Sequence, residues 1–154
     1  MYWDVKSILE ENGYEHYEIS NFAKKGFHSK HNESCWNQEE YLGFGAGASS
    51  YFNNIRFSNQ KEIEKYIEDI NNKIIEEVQT KEIQAKEFMM LGLRKIEGAS
   101  ISKFEQKFKI NPLFYFRFEI SKLVDEELIE VDLDSIKLTS KGLDLANLVW
   151  EEFV

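Results

Sequence analysis

Apolar positions along this chain recur at helical spacing in some stretches and alternate in others, and the changes between the two mark most of its elements. Val5, Ile8 and Leu9 sit on one helical face and Gly13 follows where a left-handed stop is expected, so the spacing predicts a helix ending near Asn12. Tyr14 to Ile19 is rich in aromatic and branched residues and ends in Ser20-Asn21, which predicts a short buried strand. Helix, glycine and strand in that order form half of a βα repeat. Phe22 to Glu40 lacks a clean period and reads as a long loop with at most one helical turn. The apolar, glycine-studded run Tyr41 to Ala48 predicts a buried strand whose end lets backbone or ligand approach.

From Lys61 the pattern becomes amphipathic through Ile63, Tyr66, Ile67, Ile70, Ile74 and Val78, predicting one helix. A second runs from Glu82 to Arg94 and stops at Gly98; a third holds Ile101, Phe104 and Phe108, with Ser102 and Glu105 spaced as a capping box. Asn111-Pro112 opens a helix that points Leu113, Phe116, Ile120, Leu123 and Val124 inward. Leu128 to Val131 and Ile136 to Leu138 read as a hairpin, after which Thr139 or Ser140 caps a last helix burying Leu143, Ala146, Val149, Trp150 and Phe153. Five of the eight glycines precede residue 60, which together with the onset of the helical pattern sets a boundary near Asn59. The expected fold is α/β: residues 1–59 contribute the last elements of an incomplete barrel, and residues 60–154 form a mainly helical, winged-helix-like domain.

Composition narrows the function classes. The 154 residues are 42% hydrophobic, enough to fill a core, and carry a formal charge of −9, a field that repels phosphate backbones and anionic membranes. Cys35 is the only cysteine, which excludes an intrachain disulfide and any cysteine-held cluster or zinc within these residues, and favours a reducing cytoplasm. The first residues lack the pattern of a signal peptide, and no apolar run is long enough to span a bilayer.

Four groups of residues invite chemistry. The winged-helix pattern raises DNA binding, but the helix after Pro112 offers only Arg117 and Lys122 against Glu119, while Leu113, Phe114, Tyr115, Phe116 and Phe118 look made for packing. Residues 81–154 hold 11 Lys plus Arg against 14 Asp plus Glu, a net of −3, so nucleic acid is not the expected partner. His31-Asn32-Glu33-Ser34-Cys35-Trp36 gathers an imidazole, a thiol and an indole; His and Cys both serve as axial heme ligands, and on a helix positions 31 and 35 share a face. The bland alternative is that His31 bonds a loop carbonyl while Cys35 and Trp36 pack inward. Gly43 to Ser50, with Gly45, Gly47 and Ser49, suggests a phosphate cradle but lacks the lysine and the spacing of the known ones, and tight backbone packing explains it equally well. Glu18, Ser20 and Asn21 either face a barrel mouth or do ordinary turn chemistry.

Taken in order, Tyr17-Glu18-Ile19-Ser20-Asn21-Phe22-Ala23, His31-Asn32 with Trp36, Tyr41-Leu42-Gly43-Phe44-Gly45-Ala46-Gly47-Ala48, Phe88-Met89-Met90-Leu91-Gly92-Leu93-Arg94 with Glu97-Gly98, and Leu138-Thr139-Ser140-Lys141-Gly142 resemble the oxygen-independent coproporphyrinogen III oxidase-like family of radical S-adenosylmethionine proteins, most closely its HemW branch. The resemblance spans essentially the whole chain. It implies a partial (β/α) barrel that holds a 4Fe–4S cluster on a CxxxCxxC motif with S-adenosylmethionine, followed by a helical C-terminal domain. Those cluster ligands are absent from these residues, so a C-terminal portion, without catalytic residues of its own, is expected.

What the resemblance implies for function is heme binding and transfer to an acceptor protein, as in the HemW branch, with His31 as the residue implicated in heme binding and as iron ligand, Cys35 and Trp36 beside it, and Glu18, Ser20, Asn21, Gly45, Gly47 and Ser49 lining the cofactor or substrate cavity. Two departures stand out: Cys35 occupies the tyrosine position of the branch's HNxxYW segment, and Ser49 stands where the family has a histidine. The alternatives are the oxidative decarboxylation of coproporphyrinogen III, as in the HemN branch, and a winged-helix DNA-binding module, which the charge argues against. Exposed barrel edges would favour self-association.

Overall fold

The first helical pattern is realised as α1 (Tyr2–Glu11), followed by Gly13 at φ +74°. The computed structural model describes residues 1–154, and its contacts divide them into two units, Met1–Asn37 with Ala85–Val154, and Gln38–Gln84.

In the first unit, β1 (Tyr14–Glu18) pairs antiparallel with β2 (Asn21–Lys24), with a bulge between His16 and Glu18. The chain therefore turns back on itself after the strand instead of continuing a βα repeat. The stretch expected as a long loop holds β2 and then α2 (Lys30–Trp36). Ser29 starts that helix by accepting the Asn32 N–H at 3.3 Å, a cap the irregular polar pattern concealed.

The second unit is built on a three-stranded antiparallel sheet, in the order β3 (Ser49–Phe52), β4 (Ile55–Asn59), β5. The run Tyr41 to Ala48 is not the expected buried strand: only Tyr41 bridges a neighbour, and Phe44 is 87% exposed. Gly45 at φ +103° and Gly47 at φ +71° have backbone conformations no strand contains. The amphipathic stretch from Lys61 is not one helix either. It divides into α3 (Ile63–Glu68) and β5 (Lys73–Val78). The Asp69 carboxylate accepts the Asn71 N–H at 2.9 Å and the Asp69 carbonyl the Asn72 N–H at 3.2 Å, a side-chain-closed turn that stops the helix before the branched pair Ile74-Ile75 can extend it.

The chain returns to the first unit through α4 (Lys81–Gly92), leading to β6 (Ala99–Ser100) and α5 (Ile101–Phe108). The cap of α5 is Ser100, whose hydroxyl accepts the Lys103 N–H, so Ser102 lies inside the helix rather than at its start. The predicted helix from Pro112 is broken at Phe116 into α6 (Pro112–Tyr115) and α7 (Arg117–Asp125). Phe116, at φ −108° and ψ 34°, turns inward; Leu113, Phe114, Tyr115, Phe118 and Val124, expected to pack, are exposed. The hairpin β7 (Ile129–Val131) and β8 (Ser135–Leu138) forms as predicted and β8 also pairs with β6. Thr139 caps α8 (Ser140–Asp144), followed by α9 (Ala146–Glu151).

Helices α4, α5 and α7 with this three-stranded sheet are the winged-helix arrangement the pattern anticipated. Their core gathers Met89, Leu93, Phe104, Leu123, Ile136, Val149 and Phe153, all at or near zero exposure. Phe104 meets Phe88 and Phe116 edge to face at 5.4 and 5.9 Å, and Phe116 meets Phe153 likewise at 5.2 Å, the geometry that aromatic quadrupoles favour. No strand closes into a barrel; every pair is antiparallel.

Candidate functional site

The alternation of β1 sends His16 and Glu18 one way and Glu15 and Tyr17 the other. On the first side, His16 stacks on Phe22 at 4.4 Å, and its Nε2 lies 3.1 Å from the Tyr2 hydroxyl, which itself donates to the Ile19 carbonyl. Burial pushes the His16 imidazole below its ordinary range, and burial also raises the Tyr2 phenol, helped by Asp144 and Glu18.

Glu18 is fully buried, and its carboxylate is saturated. It accepts the Arg94 guanidinium at 2.6 Å, the Ser20 N–H at 3.0 Å and the Asn21 amide. Arg94 also lies over the Trp150 ring at 5.2 Å. Backbone bonds follow the same line: Ile19 N–H donates to the Arg94 carbonyl at 3.1 Å and Ile96 N–H to the Tyr17 carbonyl at 3.2 Å. Glu18, Ser20 and Asn21 are thus brought together, around one carboxylate that fastens the hairpin to the end of α4. This arrangement matches the turn-chemistry alternative for the three residues. Ser20 in addition borders a groove of about 580 Å³ with Tyr2, Val5, Phe22 and Leu143.

The second side of β1 faces α2 and carries the richest chemistry of the first unit. The His28 imidazole stacks on Tyr17 at 4.1 Å, nearly parallel at 8°, and Trp36 leans on Tyr17 at 6.0 Å. His28 Nδ1 lies 3.0 Å from Glu33, and Nε2 lies 3.3 Å from Glu15. A cleft of about 400 Å³ opens over these residues, bordered as well by His16, Lys95, Ile96 and Glu97; its volume is in the range of small-molecule sites. Lys95 is held by Asn37 at 3.3 Å and by Glu97 at 3.1 Å.

His31 sits in the first turn of α2, exposed, with no hydrogen bond or ion pair on its ring; only its carbonyl is engaged, by the Ser34 hydroxyl at 2.9 Å. Cys35, one turn on along the same helical face, is half-buried. Of the predicted residues, Trp36 therefore borders the cleft, while His31 and Cys35 stand on the helix that forms its wall. Sequence reasoning missed Tyr17, His28, Glu15 and Glu33. Two histidines three residues apart, with a glutamate five positions beyond the first, were legible; the stacking partner from a strand was not.

Gly45, Gly47 and Ser49 belong to the second unit. The Gly47 N–H donates to the Gln60 carbonyl at 2.9 Å and the Gly45 N–H to the Tyr66 hydroxyl at 3.3 Å, while Asn59 Nδ2 donates to the Gly45 carbonyl at 2.7 Å and to that of Gly43 at 3.3 Å. A phosphate cradle needs free, converging N–H groups, and those of Gly45 and Gly47 are occupied. Ser49 is exposed at the start of β3. Among all residues no three His, Cys, Asp or Glu side chains are grouped to hold a bare metal ion, and no helix is long and apolar enough to cross a membrane.

Comparison with known proteins adds three findings. Residues 79–145 match the model of the HemN C-terminal domain. The whole chain is 43% identical, over 156 aligned residues, to a protein of Lactococcus lactis named heme chaperone HemW, and 39% identical, over 159, to one of Bacillus subtilis with the same name. It spans 41% and 42% of those two proteins, about two-fifths of their length. Among solved structures it superposes on the Escherichia coli radical SAM enzyme coproporphyrinogen III oxidase (HemN) with a TM-score of 0.72, covering 98% of this chain and 39% of that one at 19% identity, a likeness of fold.

Proposed function

We propose that the chain belongs to the HemN/HemW family of coproporphyrinogen III oxidase-like radical SAM proteins and that it serves in heme binding and transfer, as part of a HemW-type heme chaperone. The observation that carries this reading is the 39–43% identity, over the full chain, to proteins bearing that name. The likeness to the coproporphyrinogen oxidase rests on fold at 19% identity, so the enzymatic alternative is the less favoured one. The family's modules would divide near residue 59, and the protein would work in the cytoplasm.

Heme is here a cargo. An axial ligand must present a nitrogen or sulfur lone pair to the iron. The His31 imidazole meets that condition, exposed and unbonded on a helix capped by Ser29; Cys35 on the same face is the second donor, and Trp36 offers an aromatic wall. A porphyrin ring can lie against Trp36 with its propionates reaching water. The residues present do not suit the family's 4Fe–4S cluster: Cys35 is the sole thiol, and cluster and S-adenosylmethionine would depend on cysteines outside this chain. The saturated Glu18 carboxylate is better placed to hold the hairpin than to line a cavity, and Gly45, Gly47 and Ser49 would contribute through loop shape. Exposed Ile63, Ile67, Ile75 and Val78 in the second unit support self-association of the isolated chain.

Titration of hemin into the chain and its His31→Ala variant, followed at the Soret band, tests the proposal. Saturable binding that weakens about tenfold or more in the variant is expected, given the usual cost of disturbing a metal site. An unchanged Soret spectrum and affinity would remove His31 from the role, and failure of the wild-type chain to bind would remove heme. Transfer of bound hemin to an apo-hemoprotein tests the chaperone half.

A further inference from the structure

We propose that His28 is a further iron ligand of this heme site, presenting Nε2 to the cleft while Glu33 holds Nδ1–H. The inference rests on the reading that the β1–α2 region binds heme, and it is carried by four geometric facts. Glu33 stands 3.0 Å from Nδ1; a carboxylate accepting that proton fixes the tautomer and leaves the Nε2 lone pair outward. Tyr17 stacks on the ring at 4.1 Å and 8°, which sets the plane of the imidazole before any ligand arrives. His28 borders the cleft of about 400 Å³, as Trp36 does.

The fourth fact concerns charge. Glu15 lies 3.3 Å from Nε2, placing negative charge where a ferric iron would arrive. Its side chain is 48% exposed, so it can swing into water and leave Nε2 to the iron. The two carboxylates approach different ring nitrogens and do not converge on one point, in keeping with the lack of a bare-metal cluster; the porphyrin itself would supply the iron's other ligands. Ligation transfers the Nε2 lone pair to iron with no change of oxidation state. Any proton carried by Nε2 leaves to Glu15 or water. His31 has no such backing, since nothing bonds its ring.

The test titrates ferric hemin and iron-free protoporphyrin IX into the full chain and its His28→Gln, Glu33→Gln and His31→Ala variants, with electron paramagnetic resonance of each ferric complex and circular dichroism to confirm folding. We expect His28→Gln to weaken hemin binding by about tenfold or more, to change the g values, and to leave protoporphyrin IX binding unaltered. Glu33→Gln, which preserves the helix, should lower the iron–histidine stretching frequency of the ferrous complex. Identical hemin affinity and g values in His28→Gln and wild type overturn the inference, as does an equal loss of hemin and iron-free porphyrin, which would mean packing and not ligation. Loss of hemin in His31→Ala with His28→Gln untouched overturns this inference alone, whereas absence of hemin binding in the wild type overturns the underlying reading.

Discussion

Breaking the Glu18–Arg94 pair should unlock the hairpin from the winged-helix part of the first unit, and the size of the effect follows from its burial. Glu18 is fully buried, Arg94 is about one-third exposed, and their atoms are 2.6 Å apart. Removing one partner of a buried pair leaves the other uncompensated at a cost of about 3–5 kcal/mol; the partial exposure of Arg94 lets water relieve an orphaned guanidinium, so Glu18→Ala should fall at the lower end of that range. Arg94→Ala should cost more, because the abandoned carboxylate has no access to solvent and keeps only Ser20 and Asn21 as donors. For a chain of this size, about 3 kcal/mol corresponds to a melting shift of roughly 6–12 °C. Trp3, Trp36 and Trp150 all lie in the first unit, so urea unfolding followed by tryptophan fluorescence reports on it selectively. The double variant should show coupling of about 1–3 kcal/mol. Single losses below about 1 kcal/mol, or losses that simply add, would refute the reasoning.

Three other outcomes follow from the same structure. Gly142→Ala should destabilise the winged-helix part by at least about 1–3 kcal/mol, as overpacking does, since a Cβ there would overlap the Leu128 carbonyl oxygen; a normal urea midpoint would count against the packing described. Asp132 is held down to about 2 by the N–H groups of Asp134 and Ser135 and by Lys137. Its depressed folded value means that the hairpin is supported above the ordinary carboxylate range and loses that support as pH falls towards about 2, which carboxyl-carbon NMR of the side chain would reveal as a low titration midpoint. For His16 burial favours the neutral ring, so its contribution is intact above the ordinary histidine value near 6.5 and declines as pH falls through its lower folded value. An imidazole proton resonance titrating at or above that ordinary value would contradict the packing of His16 on Phe22.

The chain's own pattern determined those elements whose signals are local. Gly13 after α1, Asn111-Pro112 at the opening of α6, the β7–β8 hairpin and Thr139 before α8 were legible because caps, turns and periodicity act within a few residues. So was the family resemblance, through motif order. Only the tertiary structure decided the rest. The helical period across Ile63 to Val78 gave way to α3 and β5 because β4 offered a pairing partner and Asp69 closed a turn, and Phe118 came to face water because the backbone broke at Phe116. Glu18 and Arg94 are 76 positions apart, and no local rule links them; nor does any local rule set His28 against Tyr17 with a carboxylate at each nitrogen. Side-chain type and spacing follow from the linear order, whereas the meeting of distant groups, and therefore what each histidine can do, depends on how strands pair and which faces the core takes up.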